Sequence, residues 1–321
     1  MIVVESISKA YQGQRVVSNV SFSVDQRKTL VLLGTSGSGK TTVLKMINRL
    51  IEPTQGSIRI EGKDISQGKP EVLRRKIGYV IQQSGLFPHY TVHENIGLVP
   101  RLMGWSDEKI RQRVCEMIQI VGLSEEHADR YPHELSGGQQ QRVGIGRALA
   151  ADPPLVLMDE PFGALDPITK QQMTREFASL GMLRQKTVIL VTHDVQEAFA
   201  LGDHICLLDR GVVQQWGTPK ELLFRPANGF VRSFFQAQRL QLAMEVLTLN
   251  DLIEPLLAEP PESVPDIAPV RSSGSATLFR TLEQMEETNT SWVLVDESPV
   301  KRPISRARLL QRFFSYQQNT D

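Results

Sequence analysis

Residues 2–24 alternate apolar and polar positions with Gly13 as punctuation, and this period of two predicts short antiparallel strands joined by turns. The run at 29–33 is continuously apolar, as are 155–158 and 188–191. Each is short and bounded by turn or helix signals, so they read as buried parallel strands. Val43, Leu44, Ile47 and Leu50 recur at helical spacing over 42–50, and Pro53 with Gly56 ends that element. Strands are expected at 57–61 and 76–80. From 93 to 151 the pattern turns helical, with Ile110, Val114, Met117, Ile118 and Val121 forming a stripe that suits packing against a neighbouring helix. The segments 205–208 and 212–215 flank Asp209-Arg210-Gly211, a hairpin-like turn. Strands alternating with helices give an α/β fold, and the 93–151 insertion gives it a helical subdomain.

Past Phe235 the pattern weakens, and Pro255, Pro260, Pro261, Pro265 and Pro269 mark an acidic linker. Order is expected again from Ala276, with a helix through Met285, a strand at 292–295, a turn at 297–299 and a helix at 305–314. A unit of that size buries little alone, so it is expected to dock on something, a second copy included. The 321 residues suggest about two domains at roughly 150 residues each.

Charge changes the picture by what it leaves out. Lysine plus arginine and aspartate plus glutamate both total 36, so the balance supplies no electrostatic reason to expect nucleic acid. Lys301, Arg302, Arg306, Arg308 and Arg312 read as a solvated helix face or as a local attractor for anionic lipid or nucleotide. The 2 cysteines, Cys115 and Cys206, lack any C-x-x-C spacing, which excludes a disulfide framework or zinc site and fits a reducing cytoplasm. Met1-Ile2-Val3-Val4-Glu5 opens as a strand and not as an export leader. The apolar runs fall far short of the roughly 20 residues that span a bilayer, so a membrane role would come through a partner.

The chemistry centres on Gly34-Thr35-Ser36-Gly37-Ser38-Gly39-Lys40-Thr41, which fits G-x-x-x-x-G-K-[ST] between an apolar strand and a helix that includes Thr42. Its glycines allow backbone N–H groups to wrap a polyphosphate, and the helix N-terminus adds partial positive charge. Lys40 would reach the β/γ-phosphates, and the Thr41 hydroxyl would hold Mg²⁺. Asp159, at the end of an apolar strand, is placed to meet that metal, and Glu160 to orient or deprotonate the attacking water. Leu135-Ser136-Gly137-Gly138-Gln139 precedes a helical run from Gln140 to Ala150, and reads either as a helix cap or as a second anion site. Tyr11 reads as a packed strand aromatic or as a stacking platform for a purine.

The glycine loop, Leu135–Gln139, Asp159-Glu160 and Thr192-His193-Asp194 occur in the order found in ABC transporter ATPases, which residues 1–235 resemble. The resemblance implies a P-loop ABC ATPase core with antiparallel β and helical subdomains. It also implies ATP and Mg²⁺ as cofactors, and a head-to-tail homodimer in which Ser136, Gly138 and Gln139 face the phosphate loop of the other copy. On the same footing Tyr11 resembles the adenine-stacking aromatic and Gln82 the glutamine that contacts metal and water. Asp166 resembles the residue that links the two sites, and His193 the histidine that contacts the γ-phosphate.

Gly85-Leu86-Phe87-Pro88-His89, Met46-Ile47-Asn48-Arg49-Leu50, Tyr131-Pro132-His133-Glu134 and Phe162-Gly163-Ala164-Leu165-Asp166-Pro167 look like ATPases of importers for glycine betaine, choline and related quaternary amines. Importers of polar amino acids share much of this vocabulary, and a soluble ABC ATPase acting without a permease is the more distant alternative. The quaternary-amine resemblance implies an integral membrane permease gripped near 82–92, a substrate-binding protein reached through it, and a place on the cytoplasmic face of the membrane. Residues 276–314 resemble a single CBS module, regulatory or a remnant, where the family often has a tandem pair. The expected organisation is an ATPase domain at 1–235, a helix and Pro-rich acidic linker at 236–275, this module, and a tail at 315–321.

Overall fold

The computed structural model describes residues 1–82, 85–253, 269–296 and 303–318, in two compact units, 1–218 and 219–321. In the first unit β1 (Ile2–Tyr11) and β2 (Gln14–Val24) pair antiparallel. Their alternation sends Ile2, Val4, Val20 and Phe22 into the core. Gln12 and Gly13 both have positive φ, which matches a two-residue hairpin turn to the strand twist. The chain continues through β3 (Thr29–Gly34) and α1 (Lys40–Ile47). It then returns by β4 (Gln55–Ile60) and β5 (Lys63–Asp64), completing a sheet of order β2-β1-β4-β5.

Helix α1 is displaced from the expected 42–50. It begins at Lys40 because Gly39, with a φ of 96°, turns the loop directly into the first helical residue. It stops at Ile47 because the Arg74 guanidinium takes the carbonyls of Asn48 and Arg49, and Arg49 itself turns to a φ of 50°. Leu50 is therefore left exposed.

After α2 (Pro70–Arg74) and β6 (Ile77–Val80) come three helices, α3 (Val92–Leu102), α4 (Asp107–Ile120) and α5 (Gly137–Leu149). Ile110, Val114, Met117 and Ile118 form the buried face of α4, and Val121 is buried just beyond its end, so the stripe is packing. The unit is completed by β7 (Leu155–Asp159), α6 (Pro167–Ser179), β8 (Thr187–Thr192), α7 (Val195–Leu201), β9 (His204–Asp209) and β10 (Val212–Gly217). Arg210 and Gly211, again both at positive φ, turn the last hairpin.

These strands form a second sheet of order β10-β9-β3-β8-β7-β6, parallel except for β10. Its inner strands are apolar on both faces, which is why their sequences do not alternate. Parallel pairing brings the carboxyl ends of β3, β7 and β8 to one edge, where ligands of open α/β sheets bind.

The second unit contains α8 (Pro219–Phe224), α9 (Gly229–Gln236), α10 (Arg239–Val246) and α11 (Leu249–Ile253). It then has β11 (Val270–Ser272), α12 (Leu278–Glu287), β12 (Trp292–Val295), β13 (Ile304–Ser305) and α13 (Arg306–Gln318). Its sheet runs β11-β12-β13, parallel and then antiparallel.

The units part at 218/219, upstream of the boundary expected at 235. Leu222, Val231 and Phe235 are buried, Lys220 pairs with Asp251 at 2.5 Å, and Phe224 meets the Tyr316 ring, so α8 and α9 belong to this unit's core. Within the segment expected as a helix and linker, 236–275, α10 and α11 occupy 239–253. There Leu242, Leu247, Leu249 and Leu252 are buried, the Leu249 N–H donates to the Ala276 carbonyl, and the Leu278 N–H donates to the Leu247 carbonyl. Pro255, Pro260, Pro261 and Pro265, the turn at 297–299, and Lys301 and Arg302 lie outside the described residues.

Candidate active site

The loop 34–39 leaves β3 and closes around the side chain of Lys40. Its Nζ donates to the carbonyls of Gly34 and Thr35, both at 2.8 Å, and approaches Ser38 Oγ at 3.4 Å. Burial lowers the Lys40 pKa from the ordinary lysine value, and the nearby Glu160 and Asp159 carboxylates oppose that shift. Helix α1 starts from Gly39 with no side-chain cap and no acidic residue in its first turn. That uncapped, positively polarised end with a buried ammonium beside it fits an anion of several charges. Thr35, Ser36 and Gly37 are exposed at the mouth, Ser38 is buried beneath, and Thr42 lies in the first turn. The loop is pinned from outside, because Gly211 N–H donates to the Ser38 carbonyl and Ser18 N–H donates to the Gly211 carbonyl.

Thr41 Oγ1 donates to Asp159 Oδ1 at 2.8 Å, so the hydroxyl and carboxylate expected to share a metal are neighbours across the α1–β7 gap. Asp159 is buried, and burial raises its pKa above the ordinary aspartate value. A hydroxyl and a hard carboxylate oxygen at a phosphate loop are the donor set Mg²⁺ takes.

Glu160 follows at the end of β7 with a φ of 44°, an unusual conformation for a residue with a Cβ, and its N–H donates to the Val191 carbonyl at 3.0 Å. That turn aims its carboxylate between two elements. Gln82 Nε2 reaches Oε2 at 3.2 Å, and His193 Nδ1 lies 3.2 Å from Oε1. Three of the expected site residues, distant in sequence, therefore meet at one carboxylate.

Tyr11, 45% exposed, ends β1 with Lys9 Nζ 5.4 Å from its ring centre. The open ring fits the stacking alternative better than the packed one. The strand paired with it, β2, touches the phosphate loop, since a Cβ on Gly39 would stand 2.9 Å from the Val16 carbonyl.

Ser136, Gly138 and Gln139 stand apart from this cluster, at the start of α5. Ser136 caps the helix and forms a reciprocal capping box with Gln139, whose amide also bonds His127. The cap of the first sequence reading is made, and Gly137 and Gly138 lie in the first turn of the helix. Asp166 caps α6, accepting from the Ile168 and Thr169 N–H groups, and the bonds at Thr169 hold its pKa below the ordinary value.

Several supporting residues were not anticipated from the sequence. Asn95 is fully buried and bonds the Phe87 N–H and the carbonyls of Phe87, Tyr90 and Thr91, while Arg147 donates to the Gly85 carbonyl. Together they hold residues 85–91 onto α3 and α5. Asn95→Ala is expected to lower stability by about 2 kcal/mol and to speed hydrogen exchange over 85–91. An unchanged urea midpoint and exchange pattern would rule out that anchoring.

On the other flank Asp194 caps α7, and Glu197, three residues on, lies buried with Thr192 Oγ1 donating to its Oε2. The D-x-x-E spacing of a helix start was the available signal for this pair. Lys170 of α6 completes the group, 2.8 Å from Asp194 and 3.0 Å from Glu197.

A phosphate loop that shares a buried aspartate with a poised glutamate defines the nucleoside-triphosphate hydrolases of the P-loop class. Residues 17–163 match the ABC transporter family model. The chain is 46% identical over 92% of its length, and 75% of the relative's, to the glycine betaine/carnitine/choline transport ATP-binding protein OpuCA of Bacillus subtilis. It is 47% identical over 79% of its length, and 82% of the relative's, to the glycine betaine uptake system ATP-binding protein YehX of Escherichia coli. Among solved structures it resembles a dimeric ATP-binding cassette in a post-hydrolysis state bound to ADP and Pi, with a TM-score of 0.62 and 35% identity over 68% of this chain and 98% of that one. The chain belongs to the ABC transporter ATP-binding proteins, a family of ATP-hydrolysing subunits. No helix among the described residues is long and apolar enough to cross a membrane.

Proposed function

We propose that this chain is the ATP-hydrolysing subunit of an importer for quaternary amine osmoprotectants such as glycine betaine, choline or carnitine. The observation that carries the catalytic part is the Glu160 carboxylate held between Gln82 and His193 beside the Thr41–Asp159 pair. Mg²⁺ held by Thr41, Asp159 and Gln82 would neutralise charge on the transferring phosphoryl group. Lys40 and the loop N–H groups bind the phosphates, Tyr11 stacks on the base, and Glu160 accepts a proton from the water that attacks. His193 holds Glu160 on one side and faces the γ-phosphate on the other.

The dimeric cassette with bound ADP and Pi supports a homodimer in which Ser136, Gly138 and Gln139 of one copy complete the phosphate site of the other, with Asp166 between the sites. The named transport relatives support the cargo; a partner permease, a substrate-binding protein reached through it and a position on the cytoplasmic membrane face complete the proposal. The anchored segment 85–91, with Phe87 exposed, suits a groove for a permease helix. In the second unit, residues 276–314 form a single CBS-like module, regulatory or a remnant, a reading that the paired β12 and β13 with α12 and α13 support.

The test is radiolabelled glycine betaine uptake by cells carrying the chain with its permease, wild type against Glu160→Gln, at low and high osmolarity. Uptake that requires wild-type Glu160 is the expected result. Uptake independent of Glu160 would overturn the motor role, and absence of betaine uptake by a chain that hydrolyses ATP would overturn the cargo.

A further inference from the structure

The group formed by Lys170, Asp194, Glu197 and Thr192 has no place in the chemistry above, yet it lies against the loop that carries His193. Glu197 is buried, and burial raises its pKa above the ordinary value against the pull of Thr192 and Lys170. Lys170 is only 18% exposed at its side chain, and Asp194 29%. Burial alone would lower the Lys170 pKa, but its bonds to Asp194 and Glu197 carry it above the ordinary lysine value. The ammonium is thus paired with both carboxylates at the contact between α6 and α7.

Each partner leads to His193. Asp194 is the next residue and caps α7 through the Gln196 and Glu197 N–H groups. Thr192 is the preceding residue, and its hydroxyl bonds Glu197 Oε2 and accepts from the Asp194 N–H at 3.0 Å. The two residues that flank His193 are therefore both fixed to Glu197 or Lys170. On the other side, Lys170 lies one helical turn from Asp166, its N–H bonding the Asp166 carbonyl at 2.9 Å.

We propose that Lys170 is a positioning residue for ATP hydrolysis, tying α6 to the Thr192–Asp194 loop so that His193 stays against Glu160. This rests on the ATPase reading above. The tether also runs from the helix that Asp166 caps, so a movement of that helix start is passed to His193 through one rigid turn.

Three full-length variants test it. Lys170→Met removes the tether, and turnover is expected to fall by at least about tenfold while affinity for a fluorescent ATP analogue stays within about threefold. Lys170→Arg keeps a cation that reaches both carboxylates and is expected to retain most of the turnover. Lys170→Met with Glu197→Gln returns the net charge of the group to its wild-type value but does not restore the missing link between helices. The double variant is therefore expected to regain the wild-type urea midpoint and remain slow.

Wild-type turnover in Lys170→Met, or its recovery in the double variant, would overturn the tether and leave only charge compensation. A wild-type chain unable to turn over ATP would instead overturn the ATPase reading. In that event the ring NMR signal of His193 still decides the tether: greater mobility in the double variant supports it, and an unchanged signal refutes it.

Discussion

Glu160→Gln is expected to reduce ATP turnover by about 10²–10⁴-fold, the contribution of a positioned general base, with ATP binding retained. The substitution preserves shape, so the backbone at a φ of 44° and the bond from Gln82 can both persist. What it removes is the lone acceptor charge that takes the water's proton. It also places an amide donor where His193 Nδ1 now meets Oε1 at 3.2 Å, so one of the two supports is weakened. Because the γ-phosphate is bound but not cleaved, the variant is expected to accumulate as an ATP-loaded dimer in size-exclusion chromatography. Steady-state phosphate release is the measurement, and turnover within tenfold of wild type would remove Glu160 from the reaction.

Gly34→Ala is expected to cost about 3–5 kcal/mol of stability and to abolish nucleotide binding, because the site and the sheet share this residue. Gly34 closes β3 with a φ of 153° and pairs with Leu208 of β9. A Cβ there would lie 2.1 Å from the Leu208 carbonyl oxygen and 2.9 Å from Ser38 Oγ. The first of these is backbone inside a six-stranded sheet, so neither partner can give way without loss of the ladder. Gly37→Ala is the control. It also has positive φ, 79°, but a Cβ would meet nothing within 4 Å, so only the conformational cost of about 1–2 kcal/mol applies. Urea midpoints of the two variants separate the effects, and equal losses would show that the close approach to Leu208 is not what requires glycine.

The contrast between these two glycines shows why the site was legible in part. The motif spacing around Lys40 and Thr41 and the strand before Asp159 specify their chemistry locally, since a phosphate loop works through backbone geometry over a few residues. Which glycine meets another strand is not local information. Nor is the meeting of Gln82, Glu160 and His193, which depends on the order β3-β8-β7-β6 bringing the ends of separate strands together. Resemblance supplied those roles, and the sheet supplied the distances. Asn95, Arg147 and Lys170 went unseen because a polar residue on a helix carries no sequence mark of the backbone or carboxylate it will meet.

The amino-acid sequence by itself determined the strands whose pattern of burial repeats along the chain, the phosphate loop, the α4 stripe and the hairpin at 209–212, because each is set by neighbours in sequence. Only the tertiary structure decided where α1 stops, since Arg74 takes the carbonyls of Asn48 and Arg49 just past its end, and where the units divide, since the apolar faces of α8 to α11 find their partners within 219–321. The sequence offered a helix and a proline-rich linker for 236–275 without saying which part packs. Burial of Leu242, Leu247 and Leu252 shows that its first part is core, because short helices gain most of their stability from the surface they cover and little from their own propensity.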